Sequence, residues 1–305
     1  METILLIFIF LRTAFLYDLS NTPQPYKPSF KVLTYNIWNG YDFGKDEQRR
    51  HKIQQWINKQ QADVVALQEL CAYTPEKLQE DAVSWGHQFS ILLKTSGYSV
   101  GITSKYQITL KEKMIEGLHH GAIHCTINGI DFVVVHLHPG SIEKRRQEAR
   151  ILLAKLKSIL EKNSKIILAG DFNSHSPFDA DLYDPYGYFL NRLRESNKGK
   201  GIDGNLINEN LDYSVISSFL SVPMIDVVQQ FTKGIDRRGT FPARVLGPVN
   251  HETDEQLISR LERIDYIFVS PGIAPKCTGA RVYNEQDTWY LSDHYPVVAE
   301  FDFLK

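Results

Sequence analysis

Ile166-Ile167-Leu168-Ala169-Gly170-Asp171-Phe172-Asn173-Ser174 is the stretch on which the fold of this chain turns. An apolar strand runs into a glycine and then delivers a carboxylate and a carboxamide separated by one residue, which is how a sheet presents polar atoms at its rim. Asp171 and Asn173 fall on the same side of the extended chain. Alone, the run also fits an ordinary turn in which Asp and Asn bond their own backbone. What raises it above a turn is recurrence, because other apolar strands in the chain end in the same manner.

Upstream, Phe30 to Trp38 is rich in β-formers and closes on Asn36, Asn39 and Gly40. Asp63 to Glu69 is a second apolar strand, ending in an acid, and Asp131 to His138 is a third, closed by Pro139-Gly140 with His136 and His138 on one side. Short strands are expected over Ser90 to Leu93 and Val100 to Thr103. Downstream, Arg263 to Ser270 carries Asp265 near its start. The loop Leu291-Ser292-Asp293-His294-Tyr295-Pro296 leads into Val297 to Phe303, whose alternation predicts a strand with one covered face. Helical spacing separates these strands: Asp46 to Asn58 places Ile53, Trp56 and Ile57 on one face. Ser141 caps a helix in which Ala149, Leu152, Leu153, Leu156, Ile159 and Leu160 recur. Its charges Glu143, Lys144, Arg145, Arg146, Glu148 and Arg150 are expected on a solvated face. The order of elements predicts layered α/β packing.

The 305 residues suffice for one large domain, and the formal net charge of -2 shows no basic field of the kind a DNA-coating protein needs. Cys71, Cys125 and Cys277 have no metal-ligand spacing and form no disulfide scaffold. The apolar run Ile4 to Leu11, continued by Ala14-Phe15-Leu16 and a proline-rich spacer, predicts a signal peptide or short anchor over residues 1–28 and export of the domain, residues 29–305. His119, His120 and His124 lie in a hairpin approach without a carboxylate or cysteine partner and are expected as surface or strand histidines. His87, Lys94 and Tyr98 lie within reach of a site without spacing that decides it. From residue 178 to 259 the pattern is turn-rich. Asp179 to Asp184 suggests a calcium loop but lacks the EF-hand spacing, Tyr213 to Leu220 is a helix, and Leu246 to Glu255 is expected as polar loop.

Six strand ends or adjoining loops thus offer polar residues: Asn36, Glu69, His136, Asp171 with Asn173, Asp265, and Asp293 with His294. These are the types that cleave a phosphate ester. Carboxylates hold a magnesium ion that keeps open positions, the ion offsets charge on the phosphoryl group, and a carboxylate-oriented histidine handles protons.

In this order, Thr34-Tyr35-Asn36-Ile37, Leu67-Gln68-Glu69, Val135-His136-Leu137, Gly170-Asp171-Phe172-Asn173, Arg263-Ile264-Asp265-Tyr266-Ile267 and Ser292-Asp293-His294-Tyr295-Pro296 resemble the motifs of the endonuclease/exonuclease/phosphatase superfamily. That family includes DNase-like and abasic-site nucleases, neutral sphingomyelinases and inositol polyphosphate 5-phosphatases. The resemblance runs from about Phe30 to the end of the chain. It implies an α/β (α+β) fold, a four-layered α/β sandwich of two packed β-sheets flanked by helices. It further implies a metal-dependent hydrolase of ester bonds that uses Mg2+, with Mn2+ as an alternative. Glu69 would be the principal metal ligand, beside Asn36 and Asp293. Asp265 would orient His294, Asp171 would position or activate water, Asn173 would bind a phosphate oxygen, and His136 would serve the leaving-group side, although no carboxylate to buttress it is located. His138 has no fixed role. The substrate implied is a phosphate ester, whether lipid headgroup, inositol phosphate or nucleic acid, acted on by a monomer without an obligate protein partner. Three other readings stay open: a secreted endonuclease on DNA or RNA, a catalytically silent binding module, and a zinc hydrolase built on His136 and His138.

Overall fold

The computed structural model describes residues 29–200 and 204–303, and the leader expected over residues 1–28 lies outside the described residues. Two six-stranded sheets stack face to face. One is ordered β11 (Cys277–Val282), β12 (Val297–Phe301), β1 (Phe30–Asn36), β2 (Val64–Gln68), β4 (Gly101–Ser104), β3 (Phe89–Leu92). The other is ordered β5 (Thr109–Met114), β6 (Ala122–Ile127), β7 (Ile130–His136), β8 (Ile166–Asp171), β10 (Asp265–Val269), β9 (Ile225–Asp226). Helices α2 (Glu47–Gln60) and α3 (Pro75–Ser84) cover the outer face of the first sheet, and α4 (Ile142–Leu160) and α6 (Ser214–Leu220) cover that of the second. The remaining turns and helices, α1 (Trp38–Gly44), α5 (Tyr188–Asn197), α7 (Val227–Phe231), α8 (Ile235–Arg238), α9 (Leu246–Asn250) and α10 (Asp254–Ser259), lie in the connections. The four expected layers are all present. Among the described residues no helix is long and apolar enough to cross a membrane.

Strand alternation builds the layers. Val32, Val64, Ala66, Phe132, Val134, Ile167, Ala169 and Ile267 meet between the sheets. Their neighbours turn outward: Leu33, Val65 and Leu67 join Ile53, Trp56 and Ile57 of α2, while Val133, Val135 and Leu168 join Leu152, Leu156 and Ile159 of α4. Each such side chain contributes about 1.5–3 kcal/mol on burial. The central strands are therefore apolar on both faces. β12 is covered likewise rather than on one face only, because Val298, 2% exposed, joins the outer core under α2.

Three segments depart from expectation. β1 stops at Asn36 rather than Trp38, because residues 38 to 43 form a left-handed turn with φ between 51° and 63° in which only Gly40 is a glycine. A left-handed turn costs roughly 1–2 kcal/mol per non-glycine residue, and Arg49 offsets part of it. Its guanidinium donates to the carbonyls of Ile37 and Trp38, both at 2.9 Å, and lies 4.9 Å above the Trp38 ring. Leu246 to Glu255 contains α9 and the start of α10, the latter begun by a reciprocal cap between Thr253 and Gln256. Asp179 belongs to no calcium loop. It is fully buried, 2.8 Å from Arg263 and 3.0 Å from Arg238, so its charge is already taken up by two guanidiniums.

Candidate active site

Strand direction decides where the polar strand ends meet. β1 runs parallel to β2 and β7 parallel to β8, whereas β12 and β10 run antiparallel to their neighbours. The last residues of β1, β2, β7 and β8 and the first of β10 and β12 therefore share one rim. Counting by twos from Val32, Phe132, Ile167 and Ile267 puts Asn36, His136, Asp171 and Asp265 on the face between the sheets. Glu69 has the opposite parity and by alternation belongs to the helix side. Its φ of 61° turns it back toward the rim, to 3.3 Å from Asn36 Nδ2.

All eight predicted residues converge there, around a pocket of about 400 Å³. Asn36 is the hub: its Nδ2 lies 3.0 Å from Asp171 Oδ2, 3.3 Å from Glu69 Oε1 and 3.5 Å from His294 Nε2. Asp171 Oδ2 is also 3.5 Å from His136 Nε2 and 3.8 Å from His294 Nε2, while its Oδ1 accepts the Asn173 N–H at 2.9 Å. His294 Nδ1 is 2.8 Å from Asp265 Oδ2, which leaves Nε2 directed at the Asp171–Asn36 pair. Glu69 Oε2 accepts the Asn39 N–H at 2.7 Å, the product of the left-handed turn. Ser292 Oγ donates to the Asn36 carbonyl at 2.7 Å and lies 3.3 Å from Asp293 Oδ1, tying the Asp293 loop to β1. Asn173 Nδ2 donates to the Leu137 carbonyl at 3.0 Å, so one of its amide hydrogens is used inside the fold.

The groups are buried, and burial sets their protonation. It works to lower His294, but the carboxylates of Asp265, Asp293 and Asp171 outweigh it and hold the imidazolium well above the ordinary histidine range. Burial, with the Asp265 charge added, pushes Asp171 up to about 8, against the opposing pull of His294, the Asn173 N–H and Asn36. Asp293 rises to about 7 through burial and through the Glu69 charge beside it, with His294 opposing. The Glu69 charge acts on Asp293, and a divalent ion beside the two carboxylates would offset that repulsion. Asp171, Asp265 and His294 also offer ligand atoms within 4.8 Å of one another. That is the one such group of three among the described residues, and it contains neither His136 nor His138. Among the described residues, the zinc alternative thus finds no third ligand beside His136 and His138.

Residues 33–294 match the endonuclease/exonuclease/phosphatase family. The chain belongs to this family. Similar solved structures include an AP endonuclease from Archaeoglobus fulgidus (21% identity, TM-score 0.64, covering 90% of this chain and 99% of that one). A 3′-5′ exonuclease from Neisseria meningitidis is also similar (23%, 0.65, 90% and 100%). So is a 3′ phosphatase from Neisseria bound to a product DNA hairpin (22%, 0.63, 90% and 100%). At these identities the likeness establishes the fold. Comparison by sequence with curated proteins returns no match. Membership places the chain with hydrolases of phosphoester bonds, a family in general dependent on divalent metals.

This family member carries site residues that composition and spacing did not single out. His119 and His120 are not bystanders: both line the pocket, together with Trp38 and Tyr98. The His120 ring stacks on His136 at 4.1 Å, and His119 lies 4.3 Å from the His138 ring. Arg145 and Glu148 are not on a solvated face either, being 4% and 2% exposed. Glu148 accepts the N–H of His119 at 2.7 Å and of His138 at 2.8 Å, and Arg145 donates to the His138 carbonyl at 2.9 Å. A readable signal existed: Asn128-Gly129 is a hairpin turn, and continuing the β6–β7 register past Ala122↔Val135 sets His119 opposite His138. His124 is the expected strand histidine, 2.7 Å from Asp131. His87 lies away from the site, between Thr103 and the Ala62 carbonyl.

Proposed function

We propose that the protein is a magnesium-dependent phosphoesterase that hydrolyses a phosphodiester or organic phosphate, with manganese able to replace magnesium. The observation that carries this reading is the meeting of Asn36, His136 and His294 on one oxygen of Asp171. Glu69, Asp293 and Asn36 would hold the ion, which when bound supplies charge neutralisation at the phosphoryl oxygens. Asp171, with Oδ1 held by the Asn173 N–H and Oδ2 by Asn36 Nδ2, is the oriented carboxylate that accepts the proton of the attacking water. His294, charged and steered by Asp265, donates from Nε2 to a phosphoryl oxygen as negative charge builds there. His136 Nε2 serves the leaving-group side, and Asn173 binds a phosphate oxygen. A silent binding module would be expected to lack one of these groups, and all are in place.

Among the described residues the pocket lining contains no lysine or arginine, which favours a compact phosphoester, such as a lipid headgroup or organic phosphate, over a long polyanion that needs a basic track. The nuclease reading has its own support in a similar structure bound to a DNA hairpin. The test is turnover of bis(4-nitrophenyl) phosphate and nicking of supercoiled plasmid by the full chain with magnesium. Asp171→Asn and His294→Ala are each expected to reduce turnover by about 10²–10⁴-fold with the fold intact. Wild-type rates in either folded variant would remove that residue from the mechanism, and efficient plasmid nicking would overturn the charge argument. Export belongs to the same proposal: a mature start between Phe15 and Lys27 is expected by mass spectrometry, and an intact Met1 in cytosol would refute it.

A further inference from the structure

A histidine that acts on substrate needs its ring plane and its tautomer fixed, and a hydrogen bond at the nitrogen away from the substrate usually does this. His136 has no such bond. Its Nε2 faces Asp171 Oδ2 at 3.5 Å, whereas its buried Nδ1 has no hydrogen-bond partner among the described residues. What it has is a second imidazole against its face. The His120 ring lies 4.1 Å away and 20° from parallel, and both residues are nearly inaccessible, at 5% and 3% exposure. We propose that His120 is the positioning residue of His136, its stacked ring fixing the plane that a partner at Nδ1 would otherwise fix. The inference rests on the reading of His136 as a group that meets substrate.

His120 is itself held on several sides. Tyr98 packs edge-on at 5.5 Å and 60°, and His119 at 4.4 Å and 71°. The backbone beneath is locked by the buried Glu148, whose two oxygens accept the N–H groups of His119 and His138. One carboxylate on α4 thus fixes the loop that carries His120 to the end of the strand that carries His136. Gly121 lets that loop turn back, with φ of 89° and a site where a Cβ would lie 2.5 Å from Leu93 Cδ2 and 2.9 Å from the Met114 carbonyl oxygen. The stack cannot slide without breaking one of these contacts. Burial, with His120 beside it, also holds His136 well below the ordinary histidine range. Orientation of a neutral ring is then what His136 needs from its surroundings.

Three variants of the full chain separate stacking from a polar role: His120→Ala removes the ring, His120→Phe keeps a ring without nitrogens, and His120→Gln keeps a polar end without a ring. With magnesium and bis(4-nitrophenyl) phosphate, the alanine variant should lose about tenfold to a hundredfold in kcat with KM nearly unchanged. Phenylalanine should restore most of that loss and glutamine little of it. Side-chain NMR without substrate should find the His136 ring held in one orientation, with a single set of ring-to-neighbour contacts, in the wild type and the phenylalanine variant, and averaged over several orientations in the other two. Wild-type kcat with a single ring orientation in the alanine variant would overturn the proposal, as would rescue by glutamine equal to that by phenylalanine. If the alanine variant does not fold, the comparison of phenylalanine with glutamine decides. If the folded wild type hydrolyses no phosphoester, the functional reading fails, and the comparison of ring orientations still decides whether His120 orients His136.

Discussion

Gly170→Ala isolates the geometry on which the site depends. Gly170 has φ of 147°, and a Cβ built there would lie 2.0 Å from the carbonyl oxygen of Val135 and 2.9 Å from its carbon. These are backbone atoms of the neighbouring strand, with no flexible side chain to swing aside. Val135 pairs with Gly170 in the parallel ladder, and the next pair is His136 with Asp171. Bringing the contact from 2.0 Å to a tolerable 3.0 Å parts β7 from β8 by about 1 Å at the point where they deliver both residues. A displacement of that size costs about 10²-fold in rate when reacting groups must align. The overpacking itself should cost roughly 1–3 kcal/mol. Turnover and urea denaturation should therefore both change, and Ala169→Gly provides the comparison. That change loosens the same strand by about 1 kcal/mol without a clash and should keep most of the wild-type kcat. A folded Gly170→Ala protein with kcat within about twofold of wild type would refute the claim that the β7–β8 spacing sets the site.

His87 supplies a test of stability against pH. It is 1% exposed, both ring nitrogens are bonded, and burial pushes it down to about 4 from 6.5. The native state stays neutral while the unfolded chain takes up a proton, so this contribution is full above pH 6.5, falls as pH drops, and levels off near 4. Its full span is about 3 kcal/mol, and His87→Gln should reduce the acid slope of unfolding free energy by about one proton. An unchanged slope would remove His87 from acid unfolding. Arg263→Met leaves Asp179 and Asp226 without their shared guanidinium, 2.8 and 2.7 Å away. The expected loss is about 3–5 kcal/mol in denaturant unfolding, and a loss below about 1 kcal/mol would show that the network is not strongly coupled. Glu69→Gln should raise the magnesium concentration for half-maximal rate by at least about tenfold. An identical titration would exclude Glu69 as a ligand.

The layers and most site residues were readable because both follow alternation. Apolar strands of six or seven residues ending in Asn36, His136 and Asp171 carry their parity with them, and two-sided apolar character marks the buried sheets. What was not readable depends on partners distant in sequence. Arg145 and Glu148 sit in a charged run that normally marks a solvated face, and they are buried because the loop at His119 and the strand end at His138 present backbone groups to them. Likewise His119 and His120 have no ligand spacing in one dimension. Their place follows only from the register of a hairpin with His138 across it.

Local rules fail at several places along the chain, and those at the site share a form. Trp38, Asn39, Tyr41, Asp42 and Phe43, then Glu69 and Asn173, all carry positive φ without being glycine. Such conformations cost about 1–3 kcal/mol each and persist only where surroundings over-determine them. At Glu69 the result is a carboxylate returned to the rim against its parity. At Asn39 it is an N–H placed 2.7 Å from that same carboxylate, and at Asn173 an N–H placed 2.9 Å from Asp171 Oδ1. Asn39, Glu69 and Asn173 thus each orient one oxygen of an acid that the proposed chemistry needs. If that is why the strain is kept, Asn173→Gly should relieve it, which offsets the loss of the Nδ2 bond to the Leu137 carbonyl and should leave the fold within about 1 kcal/mol of wild type. It should at the same time free Asp171 to reorient and lower kcat by about tenfold or more. Wild-type kcat in the folded variant would mean that the strain at Asn173 serves the loop rather than the acid.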